Sequence, residues 1–395
     1  VSGWLYWFNW AATAVADATA LAIYIRWFGQ FYGWINDVPQ WVYALAIIAL
    51  VTGMNLVSVK FFGEMEFWFS LIKVLFLLVF LAVGIFMVIF GNPSGDLTGL
   101  TLITDNGGWF PNGVLPALIV IQGVVFAYAG IELLGTTSGE AKNPKKDIPR
   151  AINAVVFRLL VFYFGSVLLL CMLLPYTQYS GDESPFVTFF DSIGVPYAGA
   201  ITQLVVITAA LSSLNAGLYS TGRIMYSLSK AGSAPQWAGK VTKGGVPYGG
   251  ILLTTGVALF GVVLNFFVPE AAFEVVLNIA ALGTMASWAA ISLSHMRFVR
   301  LARQGKYTRP DYRARFSPFT DIVSLLFLVL VVILMAFDYP IGTWTLLMSL
   351  LMWPALTWGW FKVRDRVEFI SRSHVNYEKI TGEQAPDIDP PRRNP

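Results

Sequence analysis

The chain has 395 residues, of which 56% are hydrophobic, 15% aromatic and only 12% charged, with a formal net charge of +3; soluble domains carry about a quarter charged residues. That balance excludes a soluble globular domain, and basic residues confined to short clusters between apolar runs exclude a nucleic-acid-binding surface. The single cysteine, Cys171, excludes an internal disulfide and lies in an apolar run, where it reads as packing.

A helix crossing a bilayer takes about 20 predominantly apolar residues. Runs of that kind lie at 3–25, 41–58, 67–91, 114–135, 152–174, 199–221, 249–268, 274–296, 319–337 and 344–362. They are too long and too continuously apolar for barrel strands, so the expected fold class is all-α integral membrane, with ten transmembrane helices. The chain starts at Val1, without methionine, and enters the first run within three residues, which predicts that it is a fragment incomplete at its N-terminus. Residues 1–363 are expected to form the membrane domain, and 364–395, polar and ending in DIDPPRRNP, a mobile cytoplasmic tail.

Charge sorts the loops into two kinds. Segment 137–150 holds Lys142, Lys145, Lys146 and Arg150; segment 223–243 holds Arg223, Lys230, Lys240 and Lys243; segment 297–315 is richer still, from Arg297 to Arg315. These alternate with segments 92–113, 175–198 and 269–273, which contain no lysine or arginine. The positive-inside rule makes the basic loops cytoplasmic, and ten spans then put both ends of the chain in the cytoplasm.

Ionisable residues inside hydrocarbon are costly and usually face a cavity, a pathway or a partner. Three stand out: Asp17 in the first span, Lys73 in the third and Glu132 in the fourth. Asp321 and Glu274 lie near span ends, within reach of water. Lys73 sits about two turns into its run, so its stem either snorkels to the interface or presents its ammonium to a pathway. Asp17 lies deeper and either bonds a neighbouring helix or faces a cavity. Glu132 has the most telling surroundings, FAYAGIELLG, with Gly123, Gly130 and Gly135 punctuating the same span. Glycine weakens a helix by about 1 kcal/mol and admits close approach to the backbone. An interruption at YAGIE would leave carbonyls unpaired at mid-membrane, which is tolerated only where they line a cavity. Ala127, Ala129 and Gly130 would also suit a seam of close helix contact, but a seam does not explain the acid. Broken helices at the midplane mark secondary transporters. No catalytic residue and no metal site is expected, because His295, His374 and Cys171 supply neither a ligand cluster nor a catalytic pair.

The stretch FAYAGIELLGTTSGEAKNPKKDIPRAI, Phe126 to Ile152, resembles the broken sixth helix and following loop of amino acid permeases in the amino acid–polyamine–organocation superfamily. EFWFSLIKV (66–74), VITAALSSLNAGLYSTGRIMYSLSKAGSAP (206–235) and VPYGGIL (246–252) are similar to the family's fifth helix, its eighth helix with the loop after it, and the start of its ninth. Within the family the likeness is closest to bacterial L-asparagine permeases, through LITDNGGWFPNG (102–113), SPFVTFFDSIGVPY (184–197) and ILMAFDYPIGTWT (333–345). The resemblance implies a leucine-transporter-like inverted repeat of five plus five helices followed by two more, with this chain starting at the third. It also implies that the glycine-rich first helix, which binds the substrate carboxylate, is absent from the chain.

Carried over by position, the resemblance implies that carbonyls of Phe126, Ala127 and Ala129 meet the substrate ammonium, with Gly130 permitting close approach, and that Phe126 and Tyr128 cover the substrate. Glu132 matches an acidic position linked to proton-dependent gating. Lys73 matches a lysine that replaces a sodium ion in some proton-driven relatives, and an ammonium taken out of water releases its proton more readily. Asp17, Thr13, Ser213 and Asn215 complete a polar set that either serves the site or bonds helix to helix. The implied activity is proton-coupled uptake of an amino acid, L-asparagine first, across a bacterial cytoplasmic membrane, with no cofactor beyond the coupling proton. Its partners are the small-molecule substrate and the lipid bilayer, and nothing in the sequence specifies an oligomeric state. The alternatives are a permease for D-serine, D-alanine, glycine or 4-aminobutyrate, or a sensor that binds an amino acid without moving it. A channel would need a continuous polar pore, which the spans do not show.

Overall fold

The computed structural model describes residues 2–57, 59–91, 97–132, 143–181, 183–269, 272–310, 312–314 and 316–381. Gly135, Lys142, Arg315 and the chain from 382 onward lie outside the described residues. Among the described residues every regular element is helical, and eight helices are long and apolar enough to cross a membrane. The principal helices are α1 (Ser2–Arg26), α2 (Gln40–Val57), α3 (Val59–Phe90), α4 (Val114–Ile119), α5 (Ile121–Ala127), α6 (Pro144–Arg158), α7 (Gly165–Leu173), α8 (Ala198–Lys230), α9 (Tyr248–Phe267), α10 (Ala272–Arg303), α11 (Phe319–Ala336) and α12 (Ile341–Thr381).

Helix α1 is the hub. It packs against α2, α8, α9 and α10, and its small residues Ala14, Ala16, Ala18 and Ala22 are buried against Ile47, Ile48 and Val51 of α2, Leu214 and Leu218 of α8, and Ala258 of α9. Small side chains let helix backbones approach closely, which matters in lipid because hydrophobicity does not by itself draw helices together. The same logic joins α8 to α9, where a Cβ on Gly250 would stand 2.8 Å from the Cα of Gly222. Interhelical polar bonds supply the rest. Trp7 Nε1 donates to Thr254 Oγ1 at 2.9 Å, Thr284 Oγ1 to Asn9 Oδ1 at 2.9 Å, and Asn265 Nδ2 to Thr19 Oγ1 at 2.8 Å. Helix α3 lies at the edge, with Trp68, Leu71, Leu75, Leu78 and Val79 exposed, as a lipid-facing helix would be. Its inner face, at Phe80, packs on Leu169, Leu173, Phe189 and Phe190.

Several spans differ in extent from the sequence expectation. Helix α3 begins at Val59 rather than 67, so Glu66 falls inside a continuous helix. Residues 59–66, VKFFGEME, carry three charges among apolar residues, and hydropathy registers the charge while Lys, Glu and Met favour helix. The span expected at 114–135 is interrupted: α4 and α5 meet at Val120, which keeps helical dihedrals, and regular helix ends at Ala127. The span expected at 152–174 starts at Pro144 and contains a π-helical turn, Leu159–Phe164, between α6 and α7. The final span is part of a helix that runs on to Thr381.

Candidate functional site

Two groups of polar residues lie inside the bundle, and α1 touches both. The first joins α2, α3 and α8. Seven residues separate Glu66 from Lys73, so both project from one face of α3, roughly 10 Å apart along its axis. Lys73 Nζ donates to Ser212 Oγ at 2.8 Å, and Ser212 Oγ donates to Glu66 Oε2 at 2.8 Å. Asn215, one turn further along α8, donates from Nδ2 to Glu66 Oε1 at 2.8 Å and accepts at Oδ1 from Asn55 Nδ2 at 2.8 Å. Ser212 and Asn215 are buried, while Glu66 and Lys73 are half-buried. On the adjoining face of α8, Ser213 is within hydrogen-bonding reach of the Asp17 carboxyl, and Lys73 lies within coulombic range of Asp17 and Glu66. Asp17 Oδ2 and Asn55 Oδ1 are buried without a hydrogen-bond partner among the described residues. Each is an acceptor able to take a further donor group.

The second group surrounds the end of α5. Residues 128–132 follow the helix as turns, and Gly130 has φ +94°, a conformation that glycine adopts without the penalty of a Cβ. The chain tightens here through short-range bonds, Tyr128 N to Val125 O at 3.2 Å and Ala129 N to Phe126 O at 3.0 Å. The Phe126 carbonyl is therefore engaged, whereas no donor among the described residues reaches the carbonyls of Ala127 and Ala129. Glu132 folds back on the break, accepting from Gly130 N at 3.2 Å, and also accepts from Trp288 Nε1 of α10 at 3.0 Å. The Tyr6 hydroxyl lies beside the same carboxylate and the Trp10 indole, yet neither it nor Trp10 Nε1 has a hydrogen bond of good geometry among the described residues. Tyr128 stacks on Tyr163 at 5.3 Å between centroids, and Tyr163 sits in the π-helical turn. Such turns re-aim side chains and are frequent at functional sites.

The structure thus gathers the residues expected from sequence into two sets. Asp17, Lys73, Ser213 and Asn215 fall in the first, and Ala127, Tyr128, Ala129, Gly130 and Glu132 in the second. Phe126 packs against the central core between α1 and α8. Thr13 is buried and donates to Asn9 O of its own helix at 2.9 Å. Both ends of the Asn215 amide are taken up by bonds between helices. Glu66, Ser212, Asn55 and Trp288 were not singled out from sequence. For Glu66 a signal was present, its i, i+7 spacing from Lys73, but the boundary drawn at 67 excluded it. Trp288 carried no signal, because an indole in an apolar span looks the same whether or not it has a partner.

A model of the amino acid permease family matches residues 1–371. The chain belongs to that family. This permease is 52% identical over 374 residues to the L-asparagine permease of Salmonella typhimurium, covering 94% of this chain and 74% of that protein. It is 52% identical over 368 residues to the L-asparagine permease of Escherichia coli, covering 93% and 73%. To L-asparagine permease 1 of Mycobacterium tuberculosis it is 50% identical over 393 residues, covering 99% and 79%. The permease is a multi-pass membrane protein that takes up amino acids, so a small-molecule amino acid is its substrate and lipid its surroundings.

Proposed function

We propose that this permease imports L-asparagine across a bacterial cytoplasmic membrane together with protons. The observation that carries the choice of substrate is identity of 50–52% to relatives named L-asparagine permease, maintained over more than nine-tenths of the chain. The chemistry of the break is consistent with it. The carbonyls of Ala127 and Ala129, which no donor among the described residues reaches, are acceptors for an ammonium, and the described groups around the break are indoles, phenols and the Glu132 carboxylate. A side-chain amide is accommodated there by hydrogen bonds. A side-chain carboxylate would bring an unpaired charge into a dry site, at a cost of several kcal/mol. An aliphatic side chain would leave polar groups unpaired, at roughly 1–3 kcal/mol each. Coupling to protons is supported by the Lys73 set, where one ammonium lies within coulombic range of two carboxylates, Glu66 and Asp17, so that gain or loss of one proton changes the charge of the set.

The test is competition in proteoliposomes carrying the full-length protein. Uptake of labelled L-asparagine is expected to follow an inward proton gradient, to collapse with a protonophore, and to be blocked better by L-asparagine than by L-aspartate, L-leucine or 4-aminobutyrate. Stronger block by 4-aminobutyrate or D-alanine would move the assignment to another substrate. The orientation proposed places the basic segments in the cytoplasm. Asn106→Cys and Ser180→Cys, in a Cys171→Ala background, should therefore react with an impermeant thiol reagent on intact cells, and Lys243→Cys should not.

A further inference from the structure

We propose that Glu66, reached through Ser212, is the group that takes the coupling proton from Lys73 and passes it to water at the end of the span. The inference rests on the proton-coupled reading above and deepens it. Three observations carry it. The two hydrogen bonds run in one direction, from Lys73 Nζ to Ser212 Oγ and from Ser212 Oγ to Glu66 Oε2, each 2.8 Å long. Ser212 is 1% exposed, so a proton cannot leave along this line through solvent at the hydroxyl. Glu66 is half-buried, two turns nearer the start of α3, and Asn215 holds its other oxygen at 2.8 Å, which fixes the carboxylate in receiving position.

The transfer balances. The Lys73 ammonium gives a proton to Ser212 Oγ while the Ser212 proton passes to Glu66 Oε2, leaving a neutral amine, an intact hydroxyl and a carboxylic acid. Glu66 then releases the proton to water. Net charge within the set is unchanged by the transfer and falls by one only when Glu66, which is partly exposed, gives the proton to water, so the change in charge occurs at the hydrated carboxylate and not at buried Ser212. The charged groups facing Lys73 are Glu66 on its own helix and Asp17 on α1; α8 and α2 present neutral groups, Ser212, Ser213, Asn215 and Asn55. Asp17 is bonded by Ser213, not by Ser212, and so lies off the relay.

The experiment uses full-length protein in proteoliposomes and compares proton-driven accumulation of labelled L-asparagine with counterflow, which exchanges loaded carriers and needs no net proton release. Ser212→Ala and Glu66→Gln are each expected to lower the ratio of accumulation to counterflow at least tenfold. Ser212→Thr, which keeps the hydroxyl, is expected to restore it to within about threefold, and thermal melting of each variant checks the fold. An unchanged ratio in Ser212→Ala overturns the relay. Equal loss of both activities with unchanged melting does so too, because the bonds would then serve packing or binding. If Ser212→Ala does not fold, the ratio in Glu66→Gln decides. Wild-type uptake that ignores a protonophore would instead overturn the proton-coupled reading itself.

Discussion

Around Lys73 the backbone is uninterrupted helix, and side chains make all the polar contacts: an ammonium, two carboxylates, hydroxyls and amides tie α3, α8, α2 and α1 together. At residues 127–132 the roles reverse. There the helix itself has stopped, carbonyls at Ala127 and Ala129 meet no donor among the described residues, and one carboxylate, Glu132, folds back to accept from the backbone. A charge held by side chains can change protonation without the helices moving. A charge that caps a backbone break cannot change without altering the break. The two regions therefore suit different tasks, the first to carry a titrating group and the second to change shape around a ligand.

The largest effect that would break this contrast is expected at Lys73. Lys73→Met removes the cation shared by Glu66 and Asp17 and leaves both carboxylates without it. Proton-driven uptake should fall to background, and stability should drop by less than the roughly 3–5 kcal/mol typical of a stranded buried charge, because Glu66 is partly exposed. Uptake assays and thermal melting read the two effects separately. Retained accumulation would show that the set is structural. Next is Gly130→Ala. With φ at +94°, an alanine is strained by about 1–3 kcal/mol, so the break should distort and L-asparagine affinity should weaken about tenfold or more, with little effect on the protonophore sensitivity of the uptake that remains. Unchanged affinity would remove the break from the substrate site. The smallest effect is expected from Glu132→Gln. The amide oxygen still accepts from Trp288 and Gly130, so exchange should persist while accumulation falls a few-fold. A loss as deep as that of Lys73→Met would erase the distinction between the regions.

Much of this architecture was legible in order along the chain. Long apolar runs can satisfy their backbone groups in lipid only as helices, which is why α1, α2, α9, α10 and α11 appear where hydropathy places them. Asp17, Lys73 and Glu132 stood out because charge in hydrocarbon is conspicuous at the level of single letters. The stop after Ala127 was also foreseeable, from Gly130 beside an acid. What escaped was partnership. Glu66 sat just outside a hydropathy boundary, and Ser212 could not be told from its neighbour Ser213, though one faces α3 and the other α1.

The sequence by itself determined that the chain is helical, spans a membrane many times, keeps three charges in its interior and breaks one span beside a carboxylate, because hydropathy, charge and glycine act locally. Only the tertiary structure decided that α1 lies at the centre while α3 lies at the edge, since each is a long span carrying charge in an apolar run and the helices that surround it are not a property of the run. It also decided that Lys73 answers to Glu66 through Ser212, residues 139 positions apart in the first of those bonds. Hydrogen-bond partners across helices depend on rotation about each helix axis, and that rotation is set by packing small residues against one another, a property of pairs of helices that no single span encodes.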